Sequence, residues 1–250
     1  MNGLEHFLCS TSLWRYLTQR QLLPWVLSGA RLGDHLLEIG AGYGPATPQL
    51  RKAVARVTSL EYDAKSARHL KARHNGGPGG ALRGDATQLP FASQTFSSAI
   101  AILVLHHLRS RELQDLMFAE VYRVLRPGGI FLAYEINDSW VHRLGHIRST
   151  FTPVSAGSAF ARLTRAGFSR ISVDFRHGAF RLGALREKET STTNTQGSST
   201  LDPIFANRNP LSSRPEARAF CGPKWRDRGT PSNPQLFLLQ FSVDSVFFPL

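Results

Sequence analysis

The sequence predicts an α/β fold: a mostly parallel sheet with helices on both faces and an antiparallel pair at one edge. Three features carry that prediction. Between residues 35 and 185, seven short apolar runs alternate with stretches of helical period. One of these runs, Leu36-Leu37-Glu38-Ile39, breaks directly into Gly40-Ala41-Gly42-Tyr43-Gly44, the pattern of a buried strand leaving through a tight, glycine-lined turn into a helix. Acidic residues follow the next two runs, Glu61 and Asp85, at the strand ends where open parallel sheets bind their ligands.

The elements follow in order. Apolar positions from Phe7 and Leu8 through Leu13, Trp14, Leu17, Leu22, Leu23, Val26 and Leu27 keep a helical period interrupted near Pro24. They predict one or two N-terminal helices over residues 1–30 that form a lid on the site. Gly33-Asp34 marks the boundary, and the first strand runs from about His35 to Ile39. Pro45 to Val54 reads as a helix whose free N–H groups face a ligand. Val57 to Glu61 reads as the second strand, and Glu61 lies 21 positions beyond Gly40, a spacing suited to an acceptor for ribose hydroxyls. Asp63 is the better N-cap for the helix over 64–74, which leaves Glu61 for a ligand. Asn75 to Gly80 is a breaker, Ala81-Leu82-Arg83 a short third strand, and Ser98 to Leu103 a buried fourth strand leading to His106-His107. Ser110 caps a helix that Arg126-Pro127-Gly128-Gly129 stops, and Ile130 to Ile136 is the fifth strand. Residues 137–153 are irregular and basic, the expected substrate-facing insertion. Ser155 to Ala166 reads as a helix, and Phe168 to Phe175 with Ala179 to Leu185 as an antiparallel hairpin at the sheet edge.

Composition narrows the class. With 250 residues and 42% hydrophobic content the chain can bury one full α/β core. Residues 187–234 turn to Ser, Thr, Asn, Pro and Gly without apolar period, and 187–250, with the apolar stretch Leu236 to Leu250, is expected to be a largely disordered extension. Cys9 and Cys221 have no paired spacing, which argues against a disulfide framework or zinc site and for a cytoplasmic setting. No secretory signal or transmembrane segment is expected, because no apolar run approaches the ~20 residues needed to span a bilayer. The net charge of +12 raises a nucleic-acid reading, but the arginines are spread from Arg15 to Arg228 with no dense run, so nucleic acid is the less favoured partner. His142 and His146 stand at i, i+4 without a third ligand nearby, so no metal site is expected.

Taken together, Leu36 to Gly44, Leu60-Glu61, Gly84-Asp85-Ala86, Leu89-Pro90-Phe91, Val104 to Leu108 and Leu125 to Gly129 resemble the class I S-adenosylmethionine-dependent methyltransferases, in particular the small-molecule type 11 methyltransferase domain. The resemblance covers roughly residues 30–186. It implies a Rossmann-like seven-stranded sheet, a cofactor-binding domain over 31–186, and S-adenosyl-L-methionine as cofactor. It places Gly40, Gly42 and Gly44 under the cofactor's amino-acid part with Glu38 helping to hold that loop, Glu61 on the ribose, Tyr62 against the adenine, and Asp85 with the Ala86 backbone at the adenine amino group. One position departs from the family pattern: Phe96-Ser97 stands where Phe-Asp is usual.

In-line methyl transfer needs alignment and exclusion of water more than it needs a base. His106 and His107 are the imidazoles just past a strand on the ligand side, and either is a candidate base or substrate contact. Phe7, Leu8, Trp14 and Trp25, with Trp140, Ile147 and Phe151, predict an apolar roof suited to a small organic or lipid-like acceptor; Arg143 and Arg148 could meet an anionic group on it. A nicotinamide-dependent oxidoreductase is disfavoured, because Pro45 stands where G-x-G-x-x-G requires its last glycine. A nucleic-acid methyltransferase and a non-catalytic cofactor-binding protein are the competing readings. The residues do not indicate the acceptor atom or the oligomeric state.

Overall fold

The computed structural model describes residues 7, 10–73, 78–138, 140, 143, 149–176 and 178–188. Seven strands form one sheet in the order β3-β2-β1-β4-β5-β7-β6. These are β1 (His35–Ile39), β2 (Arg56–Glu61), β3 (Gly79–Arg83), β4 (Phe96–Ile102), β5 (Leu125–Ile136), β6 (Ser169–Arg176) and β7 (Ala179–Leu185). The first five run parallel, and β7 is antiparallel to both β5 and β6. The expected hairpin therefore closes the edge with β7 inserted between β5 and β6.

Every residue of β1 is buried, as its apolar run requires of a central strand covered on both faces. Because β1 pairs with β2 on one side and β4 on the other, the strand order reverses beside it. The carboxyl end of β1 is thus the switch point at which such sheets open a crevice.

The N-terminal helices are α1 (Ser12–Leu17), a π-helical turn (Thr18–Leu22) and α2 (Leu23–Val26). The period disturbance near Pro24 takes the form of this wide turn: proline offers no N–H to the carbonyl four residues earlier, and the turn before it expands. On the sheet lie α3 (Thr47–Ala53), α4 (Ala64–Arg73), α5 (Arg111–Val124) and α6 (Ala156–Arg165). Asp63 caps α4 by accepting the Ser66 N–H at 2.8 Å, as expected, and Ser110 and Ser155 cap α5 and α6 in the same way. Phe96, Phe118, Phe131, Phe168 and Phe180 build the core between the sheet and the α5–α6 layer.

Two expectations need correction. Gly79 and Gly80 belong to β3 rather than to the preceding breaker, whose residues 75–77 lie outside the described set. Edge pairing draws them in: at Gly79, with φ +103°, an added Cβ would stand 1.9 Å from the Val57 carbonyl oxygen, so only glycine lets the strands approach. Likewise Arg126-Pro127-Gly128-Gly129 is itself part of β5. The Gly128 N–H donates to the Arg186 carbonyl at 2.7 Å and the Arg186 N–H to that of Gly129 at 2.8 Å, which carries sheet pairing through the motif that ends the helix.

Candidate active site

Gly40, Gly42 and Gly44 have φ of 65°, 56° and 74°, the left-handed conformation expected of the turn after β1. A Cβ on Gly40 would stand 2.5 Å from a methyl of Val104, so the loop and the turn after β4 are pressed together there. At Gly42 an added Cβ would meet nothing within 4 Å. One side of the loop is closed by protein and the other is an open cradle, the shape a ligand lying on backbone requires.

Two buried carboxylates stand under this cradle. Glu38 accepts hydrogen bonds at one oxygen from the hydroxyls of Thr47 on α3 and Ser59 on β2, both at 2.7 Å, which ties two strands and a helix together beneath the loop. Burial pushes its pKa up to about 7, against the opposing pull of those hydroxyls. Glu61 accepts the Gly42 N–H at 2.7 Å through Oε2 and the Asp63 N–H at 2.8 Å through Oε1. Burial raises its pKa also, opposed by these backbone bonds. Asp63 does cap α4, yet Glu61 is not idle: it already fixes the glycine loop. Each carboxylate oxygen has room for a second donor, so ribose hydroxyls can join these bonds.

At the end of β3, Asp85 accepts the Thr87 N–H and hydroxyl at 2.8 and 2.7 Å through Oδ1, while its Oδ2 carries no hydrogen bond among the described residues. Ala86 beside it is buried, and the Tyr62 ring is 66% exposed. The Gly84 N–H donates to the Glu61 carbonyl, which joins this corner to β2. Glu38, the glycine loop, Glu61, Asp85 and Ala86 thus line the carboxyl ends of three adjacent strands. Ser97, the departure from the family pattern, accepts the His35 N–H at 2.9 Å and donates to the Leu32 carbonyl, so a hydroxyl holds the start of β1 in place.

On the other side of β1 from β2, His106 lies in a 3-10 turn (Leu105–His107) after β4 and is 3% exposed. Its Nδ1 is 2.6 Å from Glu135 Oε2, and Glu135 Oε1 accepts the N–H groups of Val104 and Leu105 at 2.9 and 2.7 Å. Glu135 went unassigned at the sequence level, although the reasoning applied to Glu61 covers it: an acidic residue near the end of a strand adjacent to the one that leads to the histidines. The His107 ring stands 4.2 Å and the Phe151 ring 5.5 Å from that of His106, and the Thr152 N–H donates to the His106 carbonyl at 2.8 Å.

The cover is placed in part. Gln19 donates its side-chain N–H to the Pro45 carbonyl at 2.8 Å, which moors the N-terminal helices to the glycine loop. Trp25 stands edge-on to Tyr134 with the guanidinium groups of Arg176 and Arg181 over its ring, and Arg181 also donates to its carbonyl. Arg143 forms a two-point pair with Asp138, and Trp140 is 67% exposed. Leu8, His142, His146, Ile147 and Arg148 lie outside the described residues. Among the described residues no group of His, Cys, Asp or Glu is arranged to hold a metal ion, and no helix is long and apolar enough to cross a membrane.

Part of the chain is similar to known methyltransferases. Residues 37–133 match a family described as a methyltransferase domain. A fatty-acid O-methyltransferase of Mycolicibacterium smegmatis is 34% identical over 102 residues, 40% of this chain and 36% of that protein. A sterol 24-C-methyltransferase of Eremothecium gossypii is 33% identical over 113 residues, 43% of this chain and 30% of that protein. The matched part therefore spans well under half of these relatives. Among solved structures, a Thermotoga maritima S-adenosylmethionine-dependent methyltransferase, described as a possible histamine N-methyltransferase, superposes with a TM-score of 0.57 at 16% identity, over 75% of this chain and all of that one, and shares the fold.

Proposed function

We propose that the chain is a class I S-adenosylmethionine-dependent methyltransferase and transfers a methyl group to a small organic or lipid-like acceptor. The observation that supports this most directly is the open cradle at Gly42, fixed by Glu61 at the switch point of the sheet, with the buried His106–Glu135 pair at the ends of the neighbouring strands β4 and β5. The residues present fit the cofactor. Gly40, Gly42 and Gly44 would lie under its amino-acid part with Glu38 beneath them, Glu61 would take the ribose hydroxyls, Tyr62 and Ala86 would flank the adenine, and Asp85 Oδ2 would accept from its amino group.

S-adenosylmethionine supplies a methyl group already activated on a sulfonium centre. What the chain must add is alignment, dryness and, for a hydroxyl acceptor, somewhere for the proton to go. An ionised Glu135 can only accept, so Nδ1 of His106 donates to it and Nε2 is the ring's accepting nitrogen, the atom that would take a hydroxyl proton. The Phe151 ring beside His106 favours an apolar acceptor, and the fatty-acid and sterol specificities in the names of the relatives point the same way.

A nucleic-acid acceptor is the second reading, motivated by the net charge of +12. Transfer of radiolabelled methyl groups to extracted small molecules and lipids, and separately to total nucleic acid, each at low and high salt, discriminates the two. The proposal expects label in the organic extract with little salt dependence. Label confined to nucleic acid and lost steeply with salt would overturn it. Tight cofactor binding with no label in either pool would identify a binding protein.

A further inference from the structure

We propose that the outer face of the N-terminal helices is a docking surface for an anionic lipid bilayer. The observation is an inverted pattern of burial. Helix α1 contains no buried residue, and it leaves Leu13 57% and Tyr16 59% exposed. Leu13, Tyr16 and Leu17 stand at i, i+3 and i+4 of α1, so they share one face, and the exposed Arg20 follows in the π-helical turn. The packing side is carried by Thr18, Leu22, Leu23 and Val26, each 2% exposed or less. A helix that needed only to sit on its own domain would turn polar residues outward. This one turns outward an aliphatic side chain, a phenol and arginines.

Charge selects the partner. From residue 10 to residue 33 the chain carries Arg15, Arg20 and Arg31 and no Asp or Glu, and none of the three has an ion-pair partner among the described residues. Arg20 also lines a groove together with Gln19, Leu23, Pro24, Leu27 and Gln49, which joins apolar and polar side chains next to this face. Tyrosine and arginine are the side chains that place an apolar body among acyl chains and a polar end among headgroups. A second copy of the chain fits poorly, because a two-fold contact through this face would set its arginines against their own counterparts with no acid to pair them. An anionic bilayer supplies both the apolar layer and the counter-charge. Gln19 connects the face to the cofactor loop through Pro45, so docking would bring the site to the surface where a lipid-like acceptor resides. That use rests on the acceptor reading above; the docking itself is tested separately.

The test is co-sedimentation of the full chain with vesicles of phosphatidylcholine alone or with about one third phosphatidylglycerol. It compares the parent with Leu13→Glu/Tyr16→Glu and Arg15→Glu/Arg20→Glu, with S-adenosylmethionine affinity as the check that each variant is folded. The expected result is binding to the anionic vesicles that weakens with salt and falls by about tenfold or more in each variant, while cofactor affinity stays at the parent value. No binding to anionic vesicles, equal binding to neutral ones, or binding unchanged in both variants would overturn the proposal. So would a concentration-dependent mass in light scattering that Leu13→Glu/Tyr16→Glu abolishes, which would assign the face to a second copy. Methyl transfer measured on detergent-dispersed acceptors separates the two readings: its failure alongside intact vesicle binding would remove the lipid acceptor and leave the docking face standing.

Discussion

At the scale of single residues, the site is governed by two buried carboxylates with different tasks. Glu61 spends one oxygen on the Gly42 N–H and the other on that of Asp63, so it shapes the cradle, and we propose that it also takes the ribose hydroxyls. Glu61→Ala should weaken S-adenosylmethionine binding by about tenfold or more, some 1.5–3 kcal/mol, measured by calorimetry; unchanged affinity would remove Glu61 from the site. Glu38 acts through protonation. Its pKa rises from the ordinary 4.5 to about 7, so the folded state holds a proton that the unfolded chain has already released above pH 4.5. The stabilisation is full below pH 4.5 and is lost as pH rises through about 7. A shift of that size corresponds to about 3 kcal/mol. Glu38→Gln, which mimics the protonated carboxyl towards Thr47 and Ser59, should flatten that loss, and urea unfolding of parent and variant at pH 5 and pH 8 measures the difference. Glu38, Glu61 and Asp85 were legible in the sequence because each stands at or beside the end of a short apolar run. Thr47 and Ser59 were not, since a lone hydroxyl carries no spacing signal until its partner strand is placed.

At the scale of elements, strands with clear apolar runs were legible to within two residues, and the misses have one cause. Local propensity marks Gly79-Gly80 and Pro127-Gly128-Gly129 as breakers, whereas sheet pairing with Val57 and Arg186 recruits them as strand. Gly79→Ala should destabilise the domain by about 2–3 kcal/mol in urea unfolding, because the left-handed φ and the contact with the Val57 carbonyl both resist a side chain. A neutral outcome would mean that β3 can move away without cost. The 3-10 turn after β4 is held by Glu135, by Thr152 and by Gln114, whose amide donates to the carbonyls of Leu105 and Thr152 at 2.9 and 3.0 Å. Such stapling suits a turn that must present one imidazole in a fixed tautomer. With a hydroxyl acceptor, His106→Gln should lower kcat by about 10²–10⁴. With a carboxylate acceptor, which has no proton to lose, the loss should be far smaller. Equal losses on both would make His106 a packing residue.

At the scale of the whole molecule, the question is where the folded domain ends. Ala179–Leu185 of β7 pairs along its full length with β5 and over most of it with β6, which completes the sheet. Immediately after it, Arg186 donates to the carbonyls of Tyr122 and Leu125 at 2.8 and 2.9 Å and lays its guanidinium over the Tyr122 ring at 4.6 Å. These contacts fasten the end of the sheet to α5 and the start of β5. Removal of residues 189–250 should therefore leave the domain folded, with Tm within about 2 °C of the full chain, since a change of 1 kcal/mol moves Tm by roughly 2–4 °C at this size. S-adenosylmethionine affinity should be unchanged, because every residue assigned to the cofactor lies between Glu38 and Ala86. A fall in Tm of about 8 °C or more on truncation would show that the apolar stretch from Leu236 to Leu250 packs against the domain.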